Sequence, residues 1–325
     1  MGLLTLCDWE AGVAKRKVTD DQIIEAFQRL GSPSRVSQEL DLDVSRVYAR
    51  RKSIEAKGRM LPSFSAGQKS VFETIVPENR RVITHNVSNG HIFVASDCHY
   101  WPGESTVAHR AFVELLTDFK PKTIVLNGDV FDGASVSRHP PIMGQVMPTP
   151  KQEIEACQDR LDEIAKASKN AVKLWTFGNH DTRLFAKIAA VAPELVGLMT
   201  LFDYFPGWHT GWRVDVNDHT VIKHRWHGGV HATMNNTMKS GKNIVTGHLH
   251  QLKVTPWSDY NGRRYGVDTG TLAEPYGDQF AYTEGNPVNW CSGFVVLTIR
   301  DGKLLPPELC EVIDGEAFFR GEKVI

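Results

Sequence analysis

The chain has few of the features that mark secreted or membrane proteins. Its 325 residues include only five cysteines, and none of them belongs to a CxxC pair. An odd number of widely spaced cysteines argues against a disulfide framework and favours a reducing compartment. No apolar run reaches the roughly 20 residues that a membrane-spanning helix needs. The N-terminus also lacks the basic start of a signal peptide. We therefore expect a cytoplasmic protein that does not enter a membrane.

An excess of charge of one sign is also missing. The formal net charge is −1, and 41% hydrophobic and 23% charged residues make the composition of an ordinary soluble protein. This balance favours no class of charged partner. The distribution is less even, because residues 1–60 hold 11 Lys and Arg against 9 Asp and Glu, and six of these basic residues lie between Arg46 and Arg59.

The first 60 residues predict a small helical unit. Apolar residues at helical spacing indicate helices over 20–30 and 34–40 and a third that starts near Val44. Gly31-Ser32-Pro33 separates the first two, and Asp41-Leu42-Asp43 makes a tight turn before the third. Helix, three-residue turn and basic helix is the layout of a helix-turn-helix, whose last helix enters the major groove of DNA.

Residues 35–48 resemble the homeodomain-like helix-turn-helix modules of transposases and phage regulators. Asp41 departs from that pattern, which usually has Gly at this position, although Asp tolerates the left-handed conformation better than most residues. The alternative is a plain three-helix bundle with a solvated basic face. The resemblance implies DNA as a partner, contacted by Arg46, Arg50, Arg51 and Lys52.

Three predicted strands in the middle of the chain end in polar residues. They cover residues 91–96, 123–127 and 172–177, and each is apolar until its C-terminal tip, as buried parallel strands are. In open α/β sheets the ligand lies in the crevice outside those carboxyl ends. The three tips read Asp97-Cys98-His99, Gly128-Asp129-Val130-Phe131-Asp132 and Gly178-Asn179-His180-Asp181.

Two predicted strands of the second half end in histidines. The strand over 243–246 leads into Gly247-His248-Leu249-His250, and the strand over 220–226 leads into His227 and Gly228. His224 is the alternative to His227. We favour His227 because it falls at the end of the predicted strand and precedes a glycine.

Together these tips resemble the calcineurin-like metallophosphoesterase superfamily, whose motifs are D-x-H, G-D-x-x-D, G-N-H-D, H-G and G-H-x-H. The resemblance covers about residues 91–275 and is closest to phage and bacterial members of the exonuclease-like branch, which implies the cytoplasm of a host cell. It implies an α/β fold, a sandwich of two mixed β-sheets flanked by helices, preceded by the small all-α unit. The predicted division is a helix-turn-helix over 1–60, a linker with edge strands over 61–90, and the metallophosphoesterase domain over 91–325.

The resemblance also implies two divalent metal ions. One would be held by Asp97, His99 and His250, the other by Asn179, His227 and His248, with Asp129 bridging both. Mixed carboxylate, amide and imidazole ligands favour manganese, with iron or zinc as alternatives, over magnesium or calcium. His180 matches the residue that stabilises the transition state and protonates the leaving alkoxide, and Asp132 matches the carboxylate that orients it.

The implied activity is hydrolysis of phosphate esters by a metal-bridging hydroxide, with a DNA-directed nuclease or phosphodiesterase expected first. The alternative is a phosphomonoesterase acting on nucleotides, nucleic-acid ends or proteins. Gly133 stands where protein Ser/Thr phosphatases carry a phosphate-holding Arg, and Asp132 stands where purple acid phosphatases carry Tyr. A transcriptional regulator with a degenerate enzyme domain is a third reading, disfavoured because all seven ligand positions are filled.

Overall fold

The computed structural model describes residues 18–30, 32–59, 61, 82–142, 144–198 and 200–325. The chain divides into two compact units, Met1–Ser70 and Val71–Ile325. The predicted division at residues 60 and 90 stays a prediction, because residues 62–81 lie outside the described part of the chain. So do the strand predicted over 71–76 and Cys7.

The first unit contains the three predicted helices, α1 (Asp20–Leu30), α2 (Pro33–Leu40) and α3 (Val44–Ala56). The turn between α2 and α3 depends on Asp41, which adopts the left-handed conformation with φ 49°. Asp43 then caps α3 by accepting a hydrogen bond from the Ser45 N–H. The apolar face of each helix supplies the core of this unit: Ile23, Phe27, Val36, Val47 and Ile54.

A nine-stranded sheet forms one layer of the second unit. Four neighbouring strands at its centre and one side are parallel: β2 (Gly90–Ala95), β3 (Thr123–Leu126), β4 (Val172–Thr176) and β5 (His209–Gly211). The other side is antiparallel and continues from β2 in the order β11 (Gly293–Arg300), β13 (Glu308–Ile313), β14 (Glu316–Phe319) and β15 (Glu322–Lys323), with β12 (Lys303–Leu304) paired to β11.

A six-stranded mixed sheet forms the second layer, in the order β1-β6-β7-β8-β10-β9. Its edge strand β1 pairs in parallel with β6. The strands are β1 (Val82–His85), β6 (Arg213–Val216), β7 (Thr220–Ile222), β8 (Asn243–Thr246), β9 (Lys253–Asp259) and β10 (Gly262–Asp268).

Strand β2 shows how the layers are held together. Ile92 and Val94 enter the core between the two sheets, while Phe93 and Ala95 face the opposite core under the helices. All four side chains are fully buried. A strand buried on both faces needs a continuous apolar run, which is what the sequence has here. Four helices flank the sheets: α4 (Val107–Phe119), α5 (Pro150–Ala167), α6 (Arg183–Val191) and α7 (Ala232–Ser240). The predicted sandwich of two mixed sheets flanked by helices is confirmed.

Several elements differ from the prediction. Helix α6 ends at Val191, because Pro193 disfavours the helical conformation in the residue before it. The strand expected over 220–226 ends at Ile222, which matters for the site below. Helix α7 and strands β12 to β15 were not predicted. Within the described residues the four cysteines are free thiols, and none of the helices has the length and apolar character of a membrane span.

The turn between β6 and β7 contains a side chain that joins the two sheets and can be tested by substitution. The Asn217 side chain accepts from the Val87 N–H at 2.8 Å and donates to the carbonyls of Val87 and Gly302 at 2.6 and 3.2 Å. Because Gly302 lies in the β11–β12 turn, this amide joins the two sheets. Asn217→Ala should lower the free energy of unfolding by about 2–3 kcal/mol, since each hydrogen bond contributes about 1 kcal/mol.

Asp218→Ala is the matched control for this substitution. Asp218 follows in the same turn, with φ 56° against 48° for Asn217, so alanine meets similar backbone strain at both positions. The Asp218 carboxylate makes no hydrogen bond to any described residue. Urea denaturation should show the larger loss for Asn217→Ala, and equal losses would contradict the bridging role.

Candidate metal centre

The carboxyl ends of five strands converge on one crevice. Neighbouring parallel strands β2, β3 and β4 bring Asp97, Asp129 and Asn179 to one edge of the nine-stranded sheet. Strands β7 and β8 of the six-stranded sheet are also parallel neighbours, and they are followed by His224 and His248. Backbone amides join the two sides, because the His248 N–H donates to Asp97 Oδ2 at 2.8 Å.

The first cluster consists of Asp97, His99 and His250, whose nearest ligand atoms lie within 4.8 Å of one another. His250 Nε2 lies 3.0 Å from Asp97 Oδ1, and His99 Nε2 lies 3.9 Å from the same oxygen. All three side chains are buried. The structure therefore brings together the three residues expected at the first ion.

The second cluster consists of Asp129, His224 and His248, again within 4.8 Å. His224 Nε2 lies 3.1 Å from Asp129 Oδ2. His224 Nδ1 lies 2.8 Å from the Asn127 carbonyl, to which it donates, so that Nε2 is directed at the carboxylate. Burial alone would lower the pKa of His224, but the adjacent Asp129 and Asp97 raise it to about 10. This position therefore favours positive charge.

The structure does not bring His227, which was expected at the second ion, into either cluster. His227 is half-buried, its ring stacks on Trp226 with centroids 4.8 Å apart, and it belongs to neither cluster. Because β7 ends at Ile222, the tip of the strand is His224. Thr220, Ile222 and His224 are all buried on one face, and this alternation of burial is seen only in the structure.

Four nitrogen and oxygen atoms of the residues in this crevice are buried without a hydrogen-bond partner: His99 Nε2, Asn179 Oδ1, His224 Nε2 and His250 Nδ1. Such atoms are rare in folded proteins, and each needs an explanation. His99 and His224 use Nδ1 as a donor, to the Asp132 carboxylate and to the Asn127 carbonyl respectively. Metal-ligating histidines show this arrangement, in which the second nitrogen keeps its lone pair for the ion. The residues present therefore fit divalent metal ions.

The backbone at the site is unusual. Five residues here other than glycine have a left-handed conformation, with φ between 42° and 74°. This conformation is unfavourable for residues with a Cβ and persists where the surroundings enforce it, often at functional sites. The five are Asp97, His99, Asp129, His248 and His250.

The predicted pair His180 and Asp132 lies beside the first cluster. His180 Nδ1 is 2.7 Å from Asp132 Oδ1, and His99 Nδ1 is 2.9 Å from the same oxygen. Trp101 Nε1 donates to the other carboxylate oxygen at 3.0 Å. Despite burial, the two imidazoles hold the pKa of Asp132 well below its usual range. Asp132 is thus a carboxylate that orients both rings.

Two further residues near the centre had no role assigned from the sequence. Asp181 is the last residue of the G-N-H-D motif, and Arg183 lies two positions after it. The Asp181 carboxylate accepts from the N–H groups of Asp129, Val130 and Phe131 at 2.9 to 3.1 Å, so it fixes the loop that carries Asp129. Arg183 Nη2 lies 2.9 Å from His180 Nε2. The G-N-H-D motif contains Asp181, so the sequence did point to that residue. The position of Arg183 depends instead on the residue at which α6 begins.

The four residues expected to contact DNA divide into two pairs. Arg46 and Lys52 are exposed. Arg50 pairs with Asp20, and Arg51 pairs with Glu55 and lies over the Phe27 ring. Both paired residues are three and four positions from Val47 and Ile54, the buried residues of α3, so they flank its inner face. The structure does not present the four as one surface.

One known protein family matches this chain. Residues 90–269, more than half of the chain, match the family described as calcineurin-like phosphoesterase. The chain belongs to this family. The residues of both clusters lie within the matched range, and the N-terminal helices lie outside it.

One phage protein and two solved structures are similar to this chain. A gene 54 protein of Mycobacterium phage L5 is 26% identical over 235 residues, which are 63% of this chain and 88% of the phage protein. A structure titled as a novel archaeal phosphodiesterase is 16% identical, covers 68% of this chain and 99% of its own, and has a TM-score of 0.35. Yfce, a phosphoesterase from E. coli, is 18% identical, covers 67% and 97%, and has a TM-score of 0.32. With TM-scores below 0.5, the two structures support no further conclusion.

The positions of His224 and His227 generate a test of the metal centre. We expect His224→Ala to lower the bound manganese, measured by mass spectrometry after chelation and reconstitution, from about two ions per chain to about one, because a dinuclear site loses an inner ligand. His227→Ala, three residues away, is the matched control and should keep the wild-type metal content. Loss of metal in the control but not in His224→Ala would contradict the assignment.

Proposed function

We propose that this chain is a dinuclear metal-dependent phosphodiesterase that cleaves DNA. The observation that carries the proposal is the pair of adjoining clusters with unpartnered ligand atoms at the strand tips. Family membership supports phosphoric ester hydrolysis, and the choice of a diester and of DNA belongs to the proposal.

The proposed ligand set follows the clusters. Asp97, His99 and His250 would hold the first ion, and Asn179, His224 and His248 would hold the second. Asp129 is proposed to serve both ions. Its Oδ1 accepts the backbone N–H of His180 at 2.8 Å, which restricts the orientation of this carboxylate. The mixture of oxygen and nitrogen ligands favours manganese, with iron or zinc as alternatives.

Two bound ions would supply a water of lowered pKa and would neutralise charge on the phosphoryl oxygens. The side chains of the protein contribute orientation and proton transfer. His180 Nδ1 is directed at Asp132, so Nε2 is left to face the substrate, where it is proposed to donate a proton to the leaving oxygen. Arg183 contacts that nitrogen in the free protein. A phosphate bound by Arg183 would draw the guanidinium away and free Nε2.

DNA as the substrate rests on two features outside the metal centre. The first unit has the helix, turn and helix layout of DNA-binding modules, with Arg46 and Lys52 exposed on α3. Gly133 stands where protein Ser/Thr phosphatases carry Arg. The phosphomonoesterase remains the competing function, and the substrate panel below separates the two.

The metal-reconstituted chain should hydrolyse bis-nitrophenyl phosphate faster than nitrophenyl phosphate and should cut DNA, with all activity lost on chelation. His180→Asn should lower kcat on DNA by about 10²- to 10⁴-fold, because a general acid contributes that much when the leaving group is poor. The loss on the nitrophenyl diester should be smaller, since nitrophenolate leaves without a proton. Metal content is the control and should be unchanged.

Two results would contradict these assignments. Faster turnover of the monoester than of the diester, with intact DNA, would favour the phosphomonoesterase. Equal losses of kcat on DNA and on the nitrophenyl diester would remove His180 from the acid role while leaving the rest of the centre in place.

The first unit gives a separate prediction for duplex binding. Replacing Arg46 and Lys52 by Gln should weaken duplex binding and lower the log–log salt slope by about 1.8, at about 0.9 per lost phosphate contact. The control removes the same charge from Lys166 and Lys169, which are exposed at the end of α5 and form no ion pair with any described residue. Fluorescence anisotropy at several salt concentrations measures both. Equal effects in the two double variants would make the helical unit an assembly or spacer element.

A further inference from the structure

A basic cleft adjoins the second cluster within the catalytic unit. Its volume is about 550 Å³, and it reaches from Asn179 to the face of α6. No Asp or Glu is among the described residues that line it. Four cationic side chains do line it, and they define the basic cleft: Arg138, Arg183, Lys187 and Arg225.

Three of the four cationic side chains of this cleft form no ion pair with a described residue. Arg183 lies 3.7 Å from Asp132, whereas Arg138, Lys187 and Arg225 form no ion pair with any described residue. All three are exposed. Unpaired cations gathered around a concave surface repel one another, and an anionic ligand relieves that repulsion.

Helix α6 presents a regular face to the cleft. Arg183, Ala186, Lys187 and Ala190 all line it, at the i, i+3, i+4 and i+7 spacing of one helical face. Two alanines beside two cations on this face leave room for a ligand to lie close to the helix backbone. None of the residues of α6 is buried, so this face supplies no packing to the core. Its residues are available for binding.

A second cavity shares Ser137, His139 and Arg183 with the basic cleft. Its volume is about 470 Å³, and it borders Asp132 and His180. Apolar and aromatic side chains line much of it, and they define the aromatic cavity: Trp101, Ile142, Met147 and Tyr282. Aromatic side chains provide stacking platforms for unpaired bases.

We infer that the basic cleft binds the phosphates of a single polynucleotide strand on one side of the scissile bond, while the aromatic cavity takes a base on the other side. Each cavity has the volume of a site for a small ligand or for part of one strand. The inference rests on the proposed phosphodiesterase activity and specifies its substrate as a strand rather than a small ester. Duplex contacts are then left to the first unit.

The test compares substrates of increasing length on the metal-loaded full-length chain. The value of kcat/KM should rise from bis-nitrophenyl phosphate and a dinucleotide to an oligothymidylate of about eight residues, which is within the site size of single-strand channels. Replacing both Lys187 and Arg225 by Gln should lower kcat/KM on the oligonucleotide on the order of tenfold. The salt slope should fall by about 1.4, at about 0.7 per contact with a single strand. Hydrolysis of the nitrophenyl diester should be unchanged.

The matched control removes two charges from another basic cavity of the same unit. Lys242 and Lys303 line a cavity of about 440 Å³ that contains none of the metal-centre residues. Their double replacement by Gln should leave all rates and the salt slope at wild-type values. An equal loss in the control, an equal loss on the small diester, or no gain in kcat/KM with length would each overturn the cleft.

An anisotropy titration of labelled oligothymidylate with the same variants distinguishes a failure of the proposed activity from a failure of the proposed cleft. If the wild-type chain turns over no diester, the proposed activity fails, and the titration alone decides the cleft. If diester hydrolysis is present but the Lys187 and Arg225 variant binds the oligonucleotide like the wild type, the activity stands and the cleft is wrong.

Discussion

The burial of two carboxylates in one crevice constrains the rest of this structure. Asp97 and Asp129 are almost fully removed from water. Like charges in such a medium repel, and the loss of solvation is costly unless opposite charge or hydrogen bonds offset it. The fold supplies backbone N–H groups and imidazoles from both sheets. The charge that these donors do not offset is what divalent cations bound in the crevice would offset.

Neighbouring acids show the same constraint. Burial, with the charge of Asp97 added, raises the pKa of Asp268 to about 8. Burial and Asp129 likewise raise the pKa of Asp181, although its oxygens accept several backbone N–H groups. Space is equally limited, because a Cβ on Gly178 would lie 2.0 Å from Asp129 Oδ1, and a Cβ on Gly128 would lie 2.5 Å from the His224 ring. These glycines belong to the motifs because nothing larger fits between the strand tips.

The first unit uses its charges differently. In α3 the basic residues nearest the buried face form ion pairs within the unit, and those farther round the helix stay exposed. The acidic partners Asp20 and Glu55 keep 25% and 45% of their side-chain surface exposed. Ion pairs that reach solvent contribute little stability, so these pairs do not account for the fold of the unit. Its three-residue turn depends instead on Asp41 accepting the left-handed conformation that glycine would adopt more easily.

The sequence alone determined the sandwich and most of the centre, because both depend on local pattern. Apolar strands that end in polar residues can be recognised in the sequence itself. Neighbouring parallel strands then place those polar ends at the same edge of the sheet. The tertiary structure decided the rest. Whether His224 or His227 meets Asp129 depends on the residue at which β7 leaves the sheet, and that is set by pairing with β8. The cleft on α6 and the inward position of Arg51 depend likewise on which helix face the core takes. Such choices are made by long-range packing, which leaves no local signal in the chain.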